Sequence, residues 1–563
     1  MSLQEKKMFL GSLSLIFVSL LFLAGVYVFA HRVELPAVGG DDTEALIGTP
    51  RLINPLYAST NDADEDLASL IYSGLLKWDP TQGYINDLAD SMTVSNDQLS
   101  YTLRINPNAK FSDGEPVQAR DVVFTYSALQ DSDYRSPLSA DFRDIKIEQA
   151  DDQTVLFTLK NPDPSFSHKL TIGILPNNLW SDILAQNVPL ASLNLQPIGS
   201  GPYAFQEFTK DKKGSIRTYT LKRNTHYYGT EPKIEKFIFK FYPDEQSATQ
   251  ALTNKNVEAV GYVAFEHRAT IENNHGVNLL YSSIPRGTAL YFNTQNALLK
   301  NTAVRLAIAQ AIDKNKLVSQ VLSSHASVMN GPIFNGTSAF DPTFAGIAFD
   351  PSAAASGLDT AGFQKPVGAT LRQISNKPVA KKKGTDTPAQ PGVDVSFTLT
   401  TISSDEFVHV AQEIKDELSL LGIGITIKTV DADNLMTDVV ATQDYELLLT
   451  ANYGATNPDP YFFWHSSQIG KGGFNISHYQ NADADKLLEK ARSAKTQADE
   501  DILSRQFQSL LVKEVPAVFL YQSTYAFAEP KKIHLNLPPS LRVPSDRFAN
   551  VEDWYIKTKQ TLK

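Results

Sequence analysis

"DVSFTLTTISSDEFVHVAQEIKDELSLLGIGITIKTVDADNLMTDVVATQDYELLLT", residues 394–450, decides the fold class. Val395, Phe397 and Leu399 alternate with polar positions, the period of a strand with one buried face. Phe407, Ala411, Ile414, Leu418 and Leu421 then recur at helical spacing, and Gly422 stands where a helix C-terminus takes a left-handed residue. Ile423, Ile425 and Ile427 alternate again. Asp433 is placed to cap a second helix with Leu435, Met436, Val439 and Val440 as its apolar face. Residues 445–450 form a nearly unbroken apolar run, as a strand covered on both faces does. The order β-α-β-α-β predicts a parallel sheet with right-handed crossovers. In open sheets of this kind ligands bind outside the carboxyl ends of the strands. The chain leaves the third strand as ANYGATNPDPYFFW, residues 451–464, so Tyr453 and Asp459 become candidate binding residues. The same loop also reads as a proline-rich turn whose aromatics complete a core.

Around this unit the chain is long enough for about three domains or lobes, at 563 residues. Hydrophobic residues are 42% and charged residues 20%, a globular composition. The net charge of −11 argues against a nucleic-acid partner, because phosphate binding needs a basic surface. Cysteine is absent, which rules out disulfides, thiolate metal sites, a cysteine nucleophile and an acylated-cysteine lipoprotein anchor. No internal repeat is visible. Val304, Ile308, Ala311 and Ile312 make one helix face and Leu317, Val318, Val321 and Leu322 another, with Asp313 as the cap between them. Residues 365–392, with four prolines and Lys381-Lys382-Lys383, read as a solvated loop.

Met8 to Ala30 carries no charge, and ~20 apolar residues suffice to span a bilayer. Lys6 and Lys7 precede the stretch, while Arg32, Glu34, Asp41, Asp42 and Glu44 follow it. The positive-inside rule places the N-terminus in the cytoplasm and the bulk of the chain outside. A transmembrane anchor over 8–30 is expected, followed by a tether over 31–50. A cleaved signal peptide ending near Val28-Phe29-Ala30 is the other reading, and both export the remainder.

Candidate catalysis is thin. G-x-S-x-G, H-E-x-x-H, the phosphate-loop motif and G-x-G-x-x-G do not occur, and GKGG at 470–473 lacks the residues of a phosphate loop. The ten histidines, His465 and His478 near the candidate loop among them, have no zinc-site spacing. Neither a catalytic nor a metal-binding set is expected, and no cofactor.

Several longer stretches carry a resemblance. YTLRINPNAKFSDGEPVQARDVVFTYSAL, residues 101–129, resembles a signature of the family 5 extracellular solute-binding proteins, the peptide-, nickel- and opine-binding receptors of ABC importers. LIYSGLLKWDP (70–80), PIGSGPYAF (197–205), LKRNTHYYGTEPKIEKFIFKFYPD (221–244), YFNTQNALLKNTAVRLAIAQAIDKNKLV (291–318) and NPDPYFFW (457–464) are similar to further segments of that family, in its order. The likeness runs from about residue 45 to 555. It makes Asp113-Gly114 a hairpin-like turn of the scaffold rather than part of a catalytic loop, and puts Gln118 where the family has Ser or Thr at a helix cap.

The resemblance implies an α/β, periplasmic-binding-protein-like type II fold: two hinged lobes plus an extra small α+β domain, here behind one N-terminal transmembrane helix. Lobe I is expected at 41–77, 197–288 and 513–563, the extra domain at 78–196 and lobe II at 289–512. In peptide-binding relatives an aspartate in the loop after the strand captures the peptide α-amine beside an aromatic residue. The aromatic position falls on Tyr453 and the aspartate position on Thr456, with Asn457 next to it. A neutral hydroxyl does not replace a charge-assisted bond, which contributes roughly 1.5–3 kcal/mol. Asp459 taking over, a ligand without a free amine, and weak binding remain open. Ser59 and Asn61 match the first-lobe stretch that faces ligand. The implied function is a monomeric receptor, held at the outer face of the membrane, that closes over a peptide and delivers it to ABC permease subunits. A non-transporting sensor, a receptor for a metal chelate or sugar, and an exported hydrolase are the alternatives.

Overall fold

The computed structural model of the chain describes residues 3–374, 392–453, 459–470 and 473–562. Within 394–450, Ser396–Ile402 lies between Gly424–Val430 and Leu447–Tyr453, parallel to both. Helix Asp405–Leu420 connects the first two and buries Phe407, Ala411, Ile414 and Leu418. Gly422 ends it at φ +81°, a conformation that favours a residue without Cβ. The second connection departs from expectation. One helical turn, Ala432–Asn434, starts after Asp431 rather than Asp433 and widens into a π-helical turn over Leu435–Val440. Three β-branched residues in that turn, Thr437, Val439 and Val440, disfavour a regular helix.

Leu447–Tyr453 pairs antiparallel with Val277–Phe292, a 16-residue strand, which in turn pairs with the 14-residue strand Ala517–Pro530. These two long strands continue the sheet through Ala259–Val260, Asp41–Ile47, Lys236–Tyr242, Ile216–Arg223 and Tyr203–Lys210. Their ladder runs from Val277 opposite Pro530 to Ser283 opposite Thr524, breaks, and resumes at Gly287 opposite Gln522. The break is where the chain changes cores. Ile284, Tyr525 and Phe527 pack with residues of the first lobe, whereas Leu290, Phe292, Leu520 and Tyr521 pack with residues of the second.

Ala89–Val94, Ser100–Ile105, Thr154–Leu159 and Ile145–Gln149 form a separate four-stranded antiparallel sheet covered by helix Ala119–Gln130. Its buried Leu103, Tyr126 and Phe157 belong to the same core as Leu70, Phe237 and Trp554 of the first lobe. The small domain and the first lobe are therefore one packed body, because interiors at crystal-like density do not slide within themselves. Gly114 sits at φ +94° in a turn closed by the Lys110–Pro116 bridge. Asp121, 2% exposed, accepts from the Gln118 and Asn177 amides at 2.8 Å each, so it ties the helix start to the chain 56 residues on. Gly201 in the GSGPY segment needs its missing side chain: a Cβ there would lie 2.6 Å from the Leu70 carbonyl oxygen, and its own amide donates to Ile71 O.

Helix Leu3–Ala30 carries exposed apolar side chains from Met8 to Leu23. By the criterion of length and hydropathy, no helix is long and apolar enough to cross a membrane among the described residues. The tether expected over 31–50 is instead ordered: Arg32–Ala37 pairs antiparallel with Lys557–Leu562, and Asp41–Ile47 is an inner strand of the large sheet. Val33, Leu35 and Ala37 do alternate, but their partner lies more than 500 residues away in the sequence. Most of the solvated loop expected over 365–392 lies outside the described residues. Its ends, Gln373–Ile374 and Val393–Asp394, join Phe363–Gln364 in a small sheet.

Candidate ligand-binding site

The carboxyl ends of Asp41–Ile47 and Ala259–Val260 from one lobe, and of Ser396–Ile402 and Gly424–Val430 from the other, meet around a cavity of about 860 Å³. Leu46, Ile47 and Gly261 line it from the first lobe; Ile402, Glu406 and Ala432 line it from the second; Ile284, Arg286 and Ser523 close it along the hinge strands. This is the place that an open α/β sheet reserves for a ligand, and the volume suits a small-molecule or peptide site.

Helix Asp62–Ile71 forms the first-lobe wall. Asn61 caps it, accepting from the Ala63 amide at 3.1 Å and donating to Thr49 O at 2.9 Å. Asp62 and Glu65 face the cavity one turn apart. Asp66 turns inward to Arg547, whose guanidinium bonds both Asp66 oxygens at 2.6 and 2.8 Å and Glu44 at 2.7 Å. The Arg547 side chain is 1% exposed, so this bidentate pair is dry and holds segment 544–548 against the helix. Burial pushes the Glu44 carboxyl up to about 7 despite the guanidinium. Burial, then Asp66 and Asp62, push Glu65 up to about 8. On the hinge, the Tyr525 hydroxyl donates to Gly261 O, and Tyr521 donates to Glu406 Oε1 at 2.8 Å, linking hinge to second lobe.

A second cavity, of about 280 Å³, opens between the first lobe and the small domain and shares Ser59, Glu65 and Val543 with the first. Lys77, Asp87, His168 and Arg542 line it. Burial and the Arg542 charge hold the His168 imidazole down to about 4, so it is neutral. Among the described residues no group of three or more His, Asp or Glu is arranged to hold a metal ion.

Of the residues singled out in the sequence, Ser59 and Asn61 line the large cavity. Tyr453 ends its strand opposite Arg286, another lining residue. Thr456 and Asn457 lie outside the described residues. Asp459 is elsewhere: it lines a pocket of about 90 Å³ inside the second lobe, accepts from the Tyr461 amide at 2.9 Å, and pairs with Arg492 at 3.0 Å. Its carboxylate is engaged by Arg492, whose side chain is half exposed. The sequence reading missed Asp62, Glu65, Glu245, Glu266, Arg286 and Glu406 of the wall. Only the acidic run NDADED at 61–66 hinted at any of them, and a helix N-terminus rich in acids is commonplace.

Two lobes joined by a pair of long strands, with a polar cavity at the strand carboxyl ends between them, define a binding protein that holds a solute between its halves. The chain belongs to the bacterial extracellular solute-binding proteins of family 5, whose middle-region model matches residues 83–474. It is 28% identical over 540 residues to the oligopeptide-binding protein AppA of Bacillus subtilis, covering 92% of each chain. It is 26% identical to a probable D,D-dipeptide-binding periplasmic protein, DdpA, of Escherichia coli, covering 79% of this chain and 81% of that one. The structure of B. subtilis AppA in complex with a nonapeptide superposes with a TM-score of 0.69 at 27% identity, over 93% of this chain and all of that one. NikZ of Campylobacter jejuni in complex with Ni(L-His) gives 0.72 at 25% identity, over 92% of this chain and 99% of that one.

Proposed function

We propose that this protein is the extracytoplasmic receptor of an ABC importer and that it carries peptides to the permease. One observation carries the reading: the cavity of about 860 Å³ lies where both lobes contribute wall, in a chain that matches an oligopeptide-binding protein over 92% of its length. A ligand touching both walls binds the shut form better than the open one, and that difference drives closure. Ser59, Asn61 and Arg286 contact the cargo. Tyr453 is a further contact of the cargo; the pairing of its strand end with Arg286, a lining residue, supports that reading. Lobe I is 41–77, 197–288 and 513–563, the extra domain 78–196, and lobe II 289–512. The likeness to NikZ, solved with Ni(L-His), makes a metal chelate the second reading.

The charge-free stretch from Met8 to Ala30 and the two lysines before it support an anchoring role for helix Leu3–Ala30, N-terminus inside and bulk outside, although among the described residues no helix is long and apolar enough to cross a membrane. Mass spectrometry of cargo released from natively purified protein is expected to show a mixture of short peptides, bound less tightly by the Tyr453→Ala variant. A single metal chelate or sugar would overturn the peptide assignment, and an unchanged affinity in the variant would place the loop away from the site.

A further inference from the structure

The large cavity is lopsided in charge. Asp62, Glu65, Asp66, Glu245, Glu266 and Glu406 line it, against the two guanidiniums of Arg286 and Arg547. Arg547 is already matched twice over, by Asp66 and by Glu44 behind the wall. That leaves Arg286, which donates to the Tyr262 hydroxyl at 3.2 Å, facing five carboxyl groups. The carboxyls also sit in like-charged pairs. Burial, then Asp66 and Asp62, raise Glu65, and burial, then Glu266, raise Glu245. Crowding of this kind is unfavourable in the empty cavity and is relieved by a cation placed between the members of a pair.

A second feature points to a ligand in the same place. Ser523, 6% exposed on the hinge strand, lines the cavity, and its hydroxyl has no hydrogen-bond partner among the described residues. A buried hydroxyl left unpaired costs free energy, so a polar cargo atom is its natural partner.

Resting on the peptide reading above, we infer that the preferred cargo is cationic: a peptide bearing lysine or arginine side chains, set between Asp62 and Glu65 on one stretch of the wall and Glu245 and Glu266 on another. Ammonium and guanidinium groups form charge-assisted hydrogen bonds to such carboxylates, and a cation set beside Glu65, which burial holds protonated at neutral pH, draws it into the ionised form.

Calorimetric titration of the full chain with the pentapeptides AKAKA, AQAQA and AEAEA, and with spermidine, tests this. AKAKA is expected to bind about tenfold more tightly than AQAQA, with AEAEA weakest, and the ratio to shrink as salt rises. In the double variant Asp62→Asn, Glu65→Gln the AKAKA to AQAQA ratio falls at least about threefold, with a melting curve confirming that the variant folds. AQAQA or AEAEA binding as tightly as AKAKA to the unmodified protein overturns the charge preference and leaves the peptide reading standing. Spermidine binding while all three peptides fail overturns the peptide reading and leaves the charge preference. If none of the four binds, both fall.

Discussion

Arg547 shows how much of this wall rests on one side chain. It is a fully buried cation bonded to two carboxylates from distant parts of the chain, at positions 44 and 66. Breaking a buried pair by removing one partner leaves uncompensated charge and costs about 3–5 kcal/mol. Arg547→Met is expected to lower stability by that amount near neutral pH in urea unfolding. The sign of its pH dependence follows from Glu44, which is already raised to about 7 by burial. A carboxyl raised in the folded state imposes no penalty below its unfolded value of about 4.3, where both states are protonated. The penalty grows as pH climbs toward the folded value. Without the guanidinium that lowers it, Glu44 sits higher still in the variant, so the variant regains stability relative to the parent on acidification from pH 9 to 7, as Glu44 becomes protonated in both. A loss that stays constant over that range would show that the buried charge is not what matters.

At the scale of elements, Leu3–Ala30 is set apart from the rest. Every other long helix buries one face; this one presents Leu10, Leu15 and Phe22 at 66, 71 and 71% exposure and continues almost directly into a strand paired with the C-terminus. Exposed apolar side chains such as these are stabilised by apolar surroundings. Deletion of residues 1–30 is expected to move the protein from the membrane pellet to the soluble fraction with its cargo affinity intact. A truncated protein that still sediments with membranes would mean that another part of the molecule holds it there. The hinge strands are the other telling elements. Their ladder is interrupted between Ser283 and Gly287, at the level of the cavity and at the change of cores. An irregular stretch absorbs backbone rotation at less cost than a continuous ladder.

The whole molecule consists of two bodies: the first lobe fused to the small domain through one core, and the second lobe with cores of its own on the two faces of its sheet. Cargo that touches both should draw them together. Saturating peptide is expected to lower the radius of gyration in small-angle scattering. At about one hundred times its Kd it should add about 2.7 kcal/mol to the unfolding free energy, read as a rise in Tm. A rise in Tm without contraction would indicate a receptor that binds without closing.

The β-α-β-α-β unit was legible because its period-2 and period-3.6 patterns are local, and Gly422 marks its turn by a conformation that needs no partner. Ser59 and Asn61, singled out through the family resemblance, line the large cavity. The ion pair of Asp459 with Arg492, 33 residues on, cannot be seen in a loop sequence. Nothing local marks Arg32–Ala37 as a strand rather than a tether, because its pairing partner is Lys557–Leu562 at the other end of the chain. Local order, the family, and the end of the sheet where a ligand belongs were determined by the sequence alone, since each rests on neighbours within a few turns. Which carboxylates face the cavity and which are matched by Arg547 was decided only by the tertiary structure. Charge balance in a cleft is a sum over side chains that are hundreds of residues apart and meet only on folding.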